Sequence, residues 1–111
     1  MYATFFNSSN KNWDRKPDYN LVFLRSQQAW ANDRLNRQGY LLLNDVLDSL
    51  GIDRTPAGCV VGWLKNGDGD RYVSFGVFEN QHAEKFHDFM VGNEGELLLD
   101  FNVDGVIYDK I

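Results

Sequence analysis

The stretch Cys59-Val60-Val61-Gly62-Trp63-Leu64-Lys65, then Asn66-Gly67-Asp68-Gly69-Asp70-Arg71, then Tyr72-Val73-Ser74-Phe75-Gly76-Val77-Phe78, decides the fold class. Its first part is apolar. Its last part alternates, with Val73, Phe75 and Val77 on one face and Tyr72, Ser74, Gly76 and Phe78 on the other, which is the side-chain period of a strand. Asn-Gly and Asp-Gly between the two favour a turn with positive φ. The expectation is a hairpin, with Cys59 buried in its first strand as an inert thiol.

The C-terminal stretch repeats the pattern. Leu97, Leu99, Phe101 and Val103 alternate with Leu98, Asp100 and Asn102, so Asp100 and Asn102 are expected to face out. Asp104-Gly105 fits a two-residue reversal that brings Val106-Ile107-Tyr108 back alongside. At the other end, Tyr2 to Phe6 reads as a first strand, and Asn7 to Asp18 as a polar loop whose large apolar anchor is Trp13.

A helix is expected from about Asn20. Leu21, Leu24, Ala31 and Leu35 fall on one side of it, with Gln28 in the gap; Asp18 or Asn20 can cap it, and Gly39 stops it. The rival reading takes Leu21 to Leu24 as a short strand and starts the helix at Ser26. Tyr40 to Leu43 fits a buried strand. Asn44 reads as the cap of a short helix carrying Val46, Leu47 and Leu50, ended by Gly51, with Ile52 folding back. Thr55-Pro56 starts about one further turn before Gly58. Asn80 opens a third helix through Ala83, Phe86 and Met90, ended by Gly92.

These elements predict an α+β fold: a small single domain with two or three helices packed on an antiparallel sheet built from hairpins. Residues 1–20 form the N-terminal strand and polar loop, and 21–111 the compact core of the same domain. A chain of 111 residues with eight Phe, five Tyr and three Trp can bury a core unaided. One cysteine excludes an internal disulfide framework. No apolar run approaches the roughly 20 residues of a spanning helix, and the start lacks a signal-peptide pattern. Sixteen acids against eleven bases, a formal charge of -5, disfavour nucleic acid as a partner. The expectation is no membrane partner, and a location inside the producing cell.

No catalytic constellation stands out. His82 and His87 are five apart, about 140° around a helix, and do not present two imidazoles to one metal. There is no phosphate loop and no nucleophile elbow. Asp100, Asn102 and Asp104, followed by Gly105, match the opening of a calcium loop, but position twelve is Ile111, which has no carboxylate. The turn reading explains the same letters, and no cofactor is expected. Large aromatics carry many interface contacts, so Trp30, Trp13 and Tyr72 are the candidate partner-binding residues. Trp30, displaced from the Leu24–Leu35 stripe, leads them. Trp63 is expected in the core.

Several segments resemble a small uncharacterised family encoded in phages, prophages and mobile elements of Gram-positive bacteria. They are Ala29-Trp30-Ala31-Asn32-Asp33, Leu43-Asn44-Asp45-Val46-Leu47-Asp48-Ser49-Leu50-Gly51, Arg54-Thr55-Pro56-Ala57-Gly58-Cys59-Val60-Val61-Gly62-Trp63 and Leu99-Asp100-Phe101-Asn102-Val103-Asp104-Gly105-Val106-Ile107. With Tyr72 to Phe78 they cover most of residues 21–108. The resemblance implies a phage or mobile-element protein, cytoplasmic in the producing cell or associated with the virion, and assigns no functional residue. The expected function is noncatalytic, through protein–protein interaction with a host protein or through self-assembly. The alternative is a small hydrolase or nucleotide-handling enzyme in which Asp68, Asp70, His82, His87 and Arg54 converge.

Overall fold

The computed structural model describes residues 2–78 and 96–111. The expected third helix from Asn80 to Met90, with His82 and His87, lies outside the described residues.

The long helix α1 (Pro17–Gln38) starts three residues before the expected Asn20, because Pro17 occupies its first turn, where a missing N–H costs nothing. Neither Asp18 nor Asn20 caps it. Lys16 is the capping residue, and the buried Asn20 amide instead exchanges two hydrogen bonds with the backbone of Asp14, fastening the preceding loop. Leu24, Ala31 and Leu35 form the buried stripe, and Gly39 ends the helix at φ 85°, its N–H donating to the Leu35 carbonyl. The longer of the two helix readings is therefore the observed one.

The short strand β2 (Tyr40–Leu42) leads directly into α2 (Leu43–Leu50). Asn44 is not its cap, because it lies inside the helix and is buried. Its side chain bonds both backbone groups of Thr55 and also donates to the Cys59 sulfur. Gly51 closes the helix in the left-handed conformation. The Ile52 N–H reaches back to the Leu47 carbonyl, and the Ile52 side chain packs on the core, as read from the sequence. Thr55 Oγ1 accepts from Gly58 N–H at the start of a single 3-10 turn, Ala57–Cys59. Cys59 belongs to that turn and is exposed; β3 begins only at Val61 (Val61–Leu64), so the expected buried thiol is corrected.

Among the described residues, all strand pairs are antiparallel. β1 (Tyr2–Asn7) pairs with β4 (Glu96–Phe101), Tyr2 opposite Phe101 and Asn7 opposite Glu96. A second sheet has the order β2-β3-β5, where β5 is Gly105–Val106. The α+β architecture, two helices packed on antiparallel sheet, is thus as the sequence indicates. The particular hairpin between 59–65 and 72–78 does not form: β2 and β5 occupy the two edges of β3. The reversal at Asp104-Gly105 also differs. Gly105 has the expected positive φ of 115°, yet the chain crosses to pair with β3 rather than turning back on β4.

Tyr72 to Phe78 is extended in part but is no strand, because side chains take its backbone donors. Val73 N–H donates to Asn32 Oδ1, Ser74 N–H to Asn102 Oδ1 and Phe75 N–H to Gln28 Oε1. On its other side, Phe75 and Ser74 carbonyls accept from Asp100 and Asn102 N–H. The segment is wedged between α1 and β4, so Val73, Ser74, Phe75 and Val77 are all buried. The core gathers Trp63, Phe75, Leu24, Leu35, Leu41 and Leu99, with Phe6 stacked on Phe23 and met edge-on by Trp13.

Candidate functional site: a groove beside the free edge of β1

The two hydrogen bonds from Asp100 and Asn102 to the 74–75 segment fix which way β4 points its backbone. In an antiparallel pair, alternate residues bond to opposite sides. Asp100 and Leu98 therefore bond away from β1, and Leu97, Leu99 and Phe101 bond toward it. By the register, Phe6, Thr4 and Tyr2 supply the β1 side of the ladder. The N–H and C=O groups of Ala3 and Phe5 point to the opposite edge, where no described residue accepts or donates.

A groove of about 530 Å³ lies against the first half of β1. Tyr2, Ala3 and Thr4 form one wall; Leu43 and Leu47 of α2, Ile52 and Phe101 give an apolar floor; Asp53, Arg54 and Thr55 form the far rim. Its size is that of sites which hold a ligand or a short peptide segment. Arg54 is not a free cation. Its guanidinium forks onto the Asp48 carboxylate, with Nε 3.0 Å from Oδ1, and this hydrogen bond holds the Asp48 carboxyl below the usual aspartate range and the guanidinium above its own. No ion pair to Asp53 occurs among the described residues. Among the described residues, the groove offers a strand edge without a partner, apolar surface and an exposed carboxylate, which together suit capture of an extended segment.

Of the three residues named for an enzyme that are among the described residues, the groove holds Arg54 and neither Asp68 nor Asp70. Asp68 and Asp70 lie on the 65–72 loop, Asp70 accepting from Asn102 Nδ2, and the histidines are outside the described residues. Among the partner-binding candidates, Trp13 is half-buried against Phe6 and Tyr72 is exposed. Trp30 is half-buried beneath the Arg34 guanidinium and lines a second cavity, about 300 Å³, with Asp45, Asp48 and Ser49. The three do not share either cavity.

The calcium-like letters are put to other uses. Asp100 is on the solvent face of β4. Asn102, expected to face out, is half-buried with its amide turned to protein partners: Oδ1 accepts from Trp63 Nε1 and Ser74 N–H, and Nδ2 donates to Asp70 and the Tyr72 carbonyl. Asp104 Oδ2 accepts from Leu64 N–H, while its buried Oδ1 lies against Gly69. Among the described residues, no group of three or more His, Cys, Asp or Glu side chains is placed to hold a metal ion, and no helix is long and apolar enough to cross a membrane.

A family of unknown function, DUF6353, matches residues 1–111. The chain belongs to this family. No curated protein and no solved structure matches it. The match spans the whole chain, so the β1 edge, which the 21–108 resemblance left out, falls within the family's own limits. Sequence reading missed Tyr2, Ala3 and Phe5 as site residues. The signal that could have found them is a strand, Tyr2 to Asn7, without a single charge or proline.

Proposed function

We propose that the protein acts without catalysis, through protein–protein interaction, and that the groove beside β1 receives an extended segment as an added strand. The phage or mobile-element setting is part of this reading and rests on the sequence resemblance. The observation that carries the mode of binding is the outward pair of Ala3 and Phe5 backbone groups on β1, with Ala3 on the wall of an apolar groove. Strand addition draws affinity from main-chain hydrogen bonds and specificity from pockets that take alternate side chains.

Ala3→Pro tests it. The substitution deletes the outward N–H of Ala3 and leaves the β1–β4 ladder intact, since proline is tolerated on an edge whose N–H faces solvent. Affinity capture from the native cell with the wild-type chain and with Ala3→Pro should give partners that the variant loses. An identical set of captured proteins, from a variant with unchanged circular dichroism, would overturn the strand-addition mode.

A further inference from the structure

We infer that an occupant of the β1 edge is β1 of a second copy, paired antiparallel about a two-fold axis through Thr4. The inference rests on the strand-addition reading and adds the identity of the strand.

Three features fit self-pairing. The first is that the strand carries no side-chain device that keeps edges apart: Tyr2 to Asn7 has no lysine, no proline and no charge. The second is steric. An axis through Thr4 sets Ala3 opposite Phe5 of the second copy, and these are the residues whose backbone groups point outward. On the solvent face, Phe5 is 51% exposed and Leu98, its partner across β4, is 41% exposed. Pairing lays the Phe5 ring over the small Ala3 of the other copy, and a larger residue at Ala3 would crowd it. The result is an isologous contact, in which the same patch serves both copies.

The third feature is charge. Within β1 and β4, the carboxylate nearest the joint by register is Asp100, opposite Ala3. In a four-stranded sheet the two copies of Asp100 occupy the outer strands, about 14 Å apart at three strand spacings, beyond the screening length of roughly 8 Å at physiological salt. No like charges of β1 or β4 therefore meet across the axis. The overall charge of -5 still opposes approach, so added salt strengthens the pair. A single six-residue strand buries less than the roughly 800 Å² per partner of a stable interface, so the dimer dissociates on dilution.

Light scattering over a roughly hundredfold concentration range reads this directly. The wild-type mass should climb toward twice the monomer mass, more steeply at high salt. Ala3→Pro and, independently, Ala3→Lys should stay monomeric. In a Cys59→Ser background, Thr4→Cys should cross-link under mild oxidation and Ala3→Cys should not, because only Thr4 meets its own copy. A wild-type monomer that still captures an Ala3→Pro-sensitive partner would assign the edge to a different protein, overturning this inference and keeping the strand-addition reading. A dimer that survives both Ala3 variants, or cross-links equally at both positions, would place the contact elsewhere and overturn it too. Loss of the Ala3→Pro effect on captured partners sinks the underlying reading separately.

Discussion

The side-chain amide of Asn32, on α1, pairs with both backbone groups of Val73 as a neighbouring strand would. Oδ1 accepts the Val73 N–H at 2.7 Å, and Nδ2 donates to the Val73 carbonyl at 3.0 Å. Val73 is fully buried. Removing one partner of a buried hydrogen bond leaves the other with its desolvation cost, about 1–3 kcal/mol. Asn32→Ala should therefore destabilise the fold by about 2 kcal/mol. Asn32→Asp, which keeps the acceptor but sets an oxygen against the Val73 carbonyl, should not restore it. Urea unfolding of the three proteins gives the comparison, and an Asn32→Ala midpoint equal to wild type would remove the strand-like role.

Asn102 uses its full hydrogen-bonding capacity, two acceptor and two donor positions. Asn102→Asp loses both donors and sets a second carboxylate beside Asp70. The expected result is a loss of roughly 2–3 kcal/mol, together with a shift in Trp63 fluorescence, because the indole N–H partner moves. Asn102→Ala should shift the fluorescence as well. Unchanged emission in both would show that Trp63 Nε1 does not depend on this amide.

These two amides also explain what was and was not legible in the sequence. Leu24, Ala31, Leu35 and Gly39 announce α1, and Leu97, Leu99 and Phe101 announce the inner face of β4, because periodic burial leaves periodic letters. Tyr72 to Phe78 shows the same alternation without being a strand. Its partners are the side chains of Asn32, Gln28 and Asn102, and a side-chain amide can stand in for a peptide group without leaving any period. The groove was illegible for a related reason. Tyr2, Leu43, Ile52, Arg54 and Phe101 come from separate elements and meet only through the fold.

Glycines separate two kinds of cost. Gly105 has φ 115° and open space around a would-be Cβ, so Gly105→Ala is opposed by backbone conformation alone, roughly 1 kcal/mol or more. Gly62 has no such φ, but a Cβ there would sit 2.0 Å from the Leu41 carbonyl oxygen in the neighbouring strand. Backbone in a paired strand yields little, and overpacking costs about 1–3 kcal/mol or more. Thermal unfolding should rank Gly62→Ala as the more damaging of the two. The reverse order would mean that β2 moves away from β3 at little cost.

The Asp48–Arg54 fork gives a pH dependence whose sign follows from the direction of the Asp48 shift. Arg54, through its hydrogen bond first and its charge second, holds the Asp48 carboxyl below the ordinary aspartate value. A carboxyl depressed in the folded state adds stability above its unfolded pKa of about 3.9, and that stability is lost as pH falls through the folded value. Both side chains are well exposed, so solvent and salt keep the effect small. The sharper readout is the titration itself. In Arg54→Gln, the Asp48 side-chain carbon followed by NMR should titrate at a higher pH than in wild type, moving back toward about 3.9. Any stability difference between the two proteins should be largest near neutrality and vanish in acid. Asp48→Asn gives the converse, freeing the guanidinium at the groove rim without altering the strand edge. Captured partners should then persist, because the main-chain groups of Ala3 and Phe5 are untouched; their loss would move the binding determinant from the edge of β1 to the Arg54 rim.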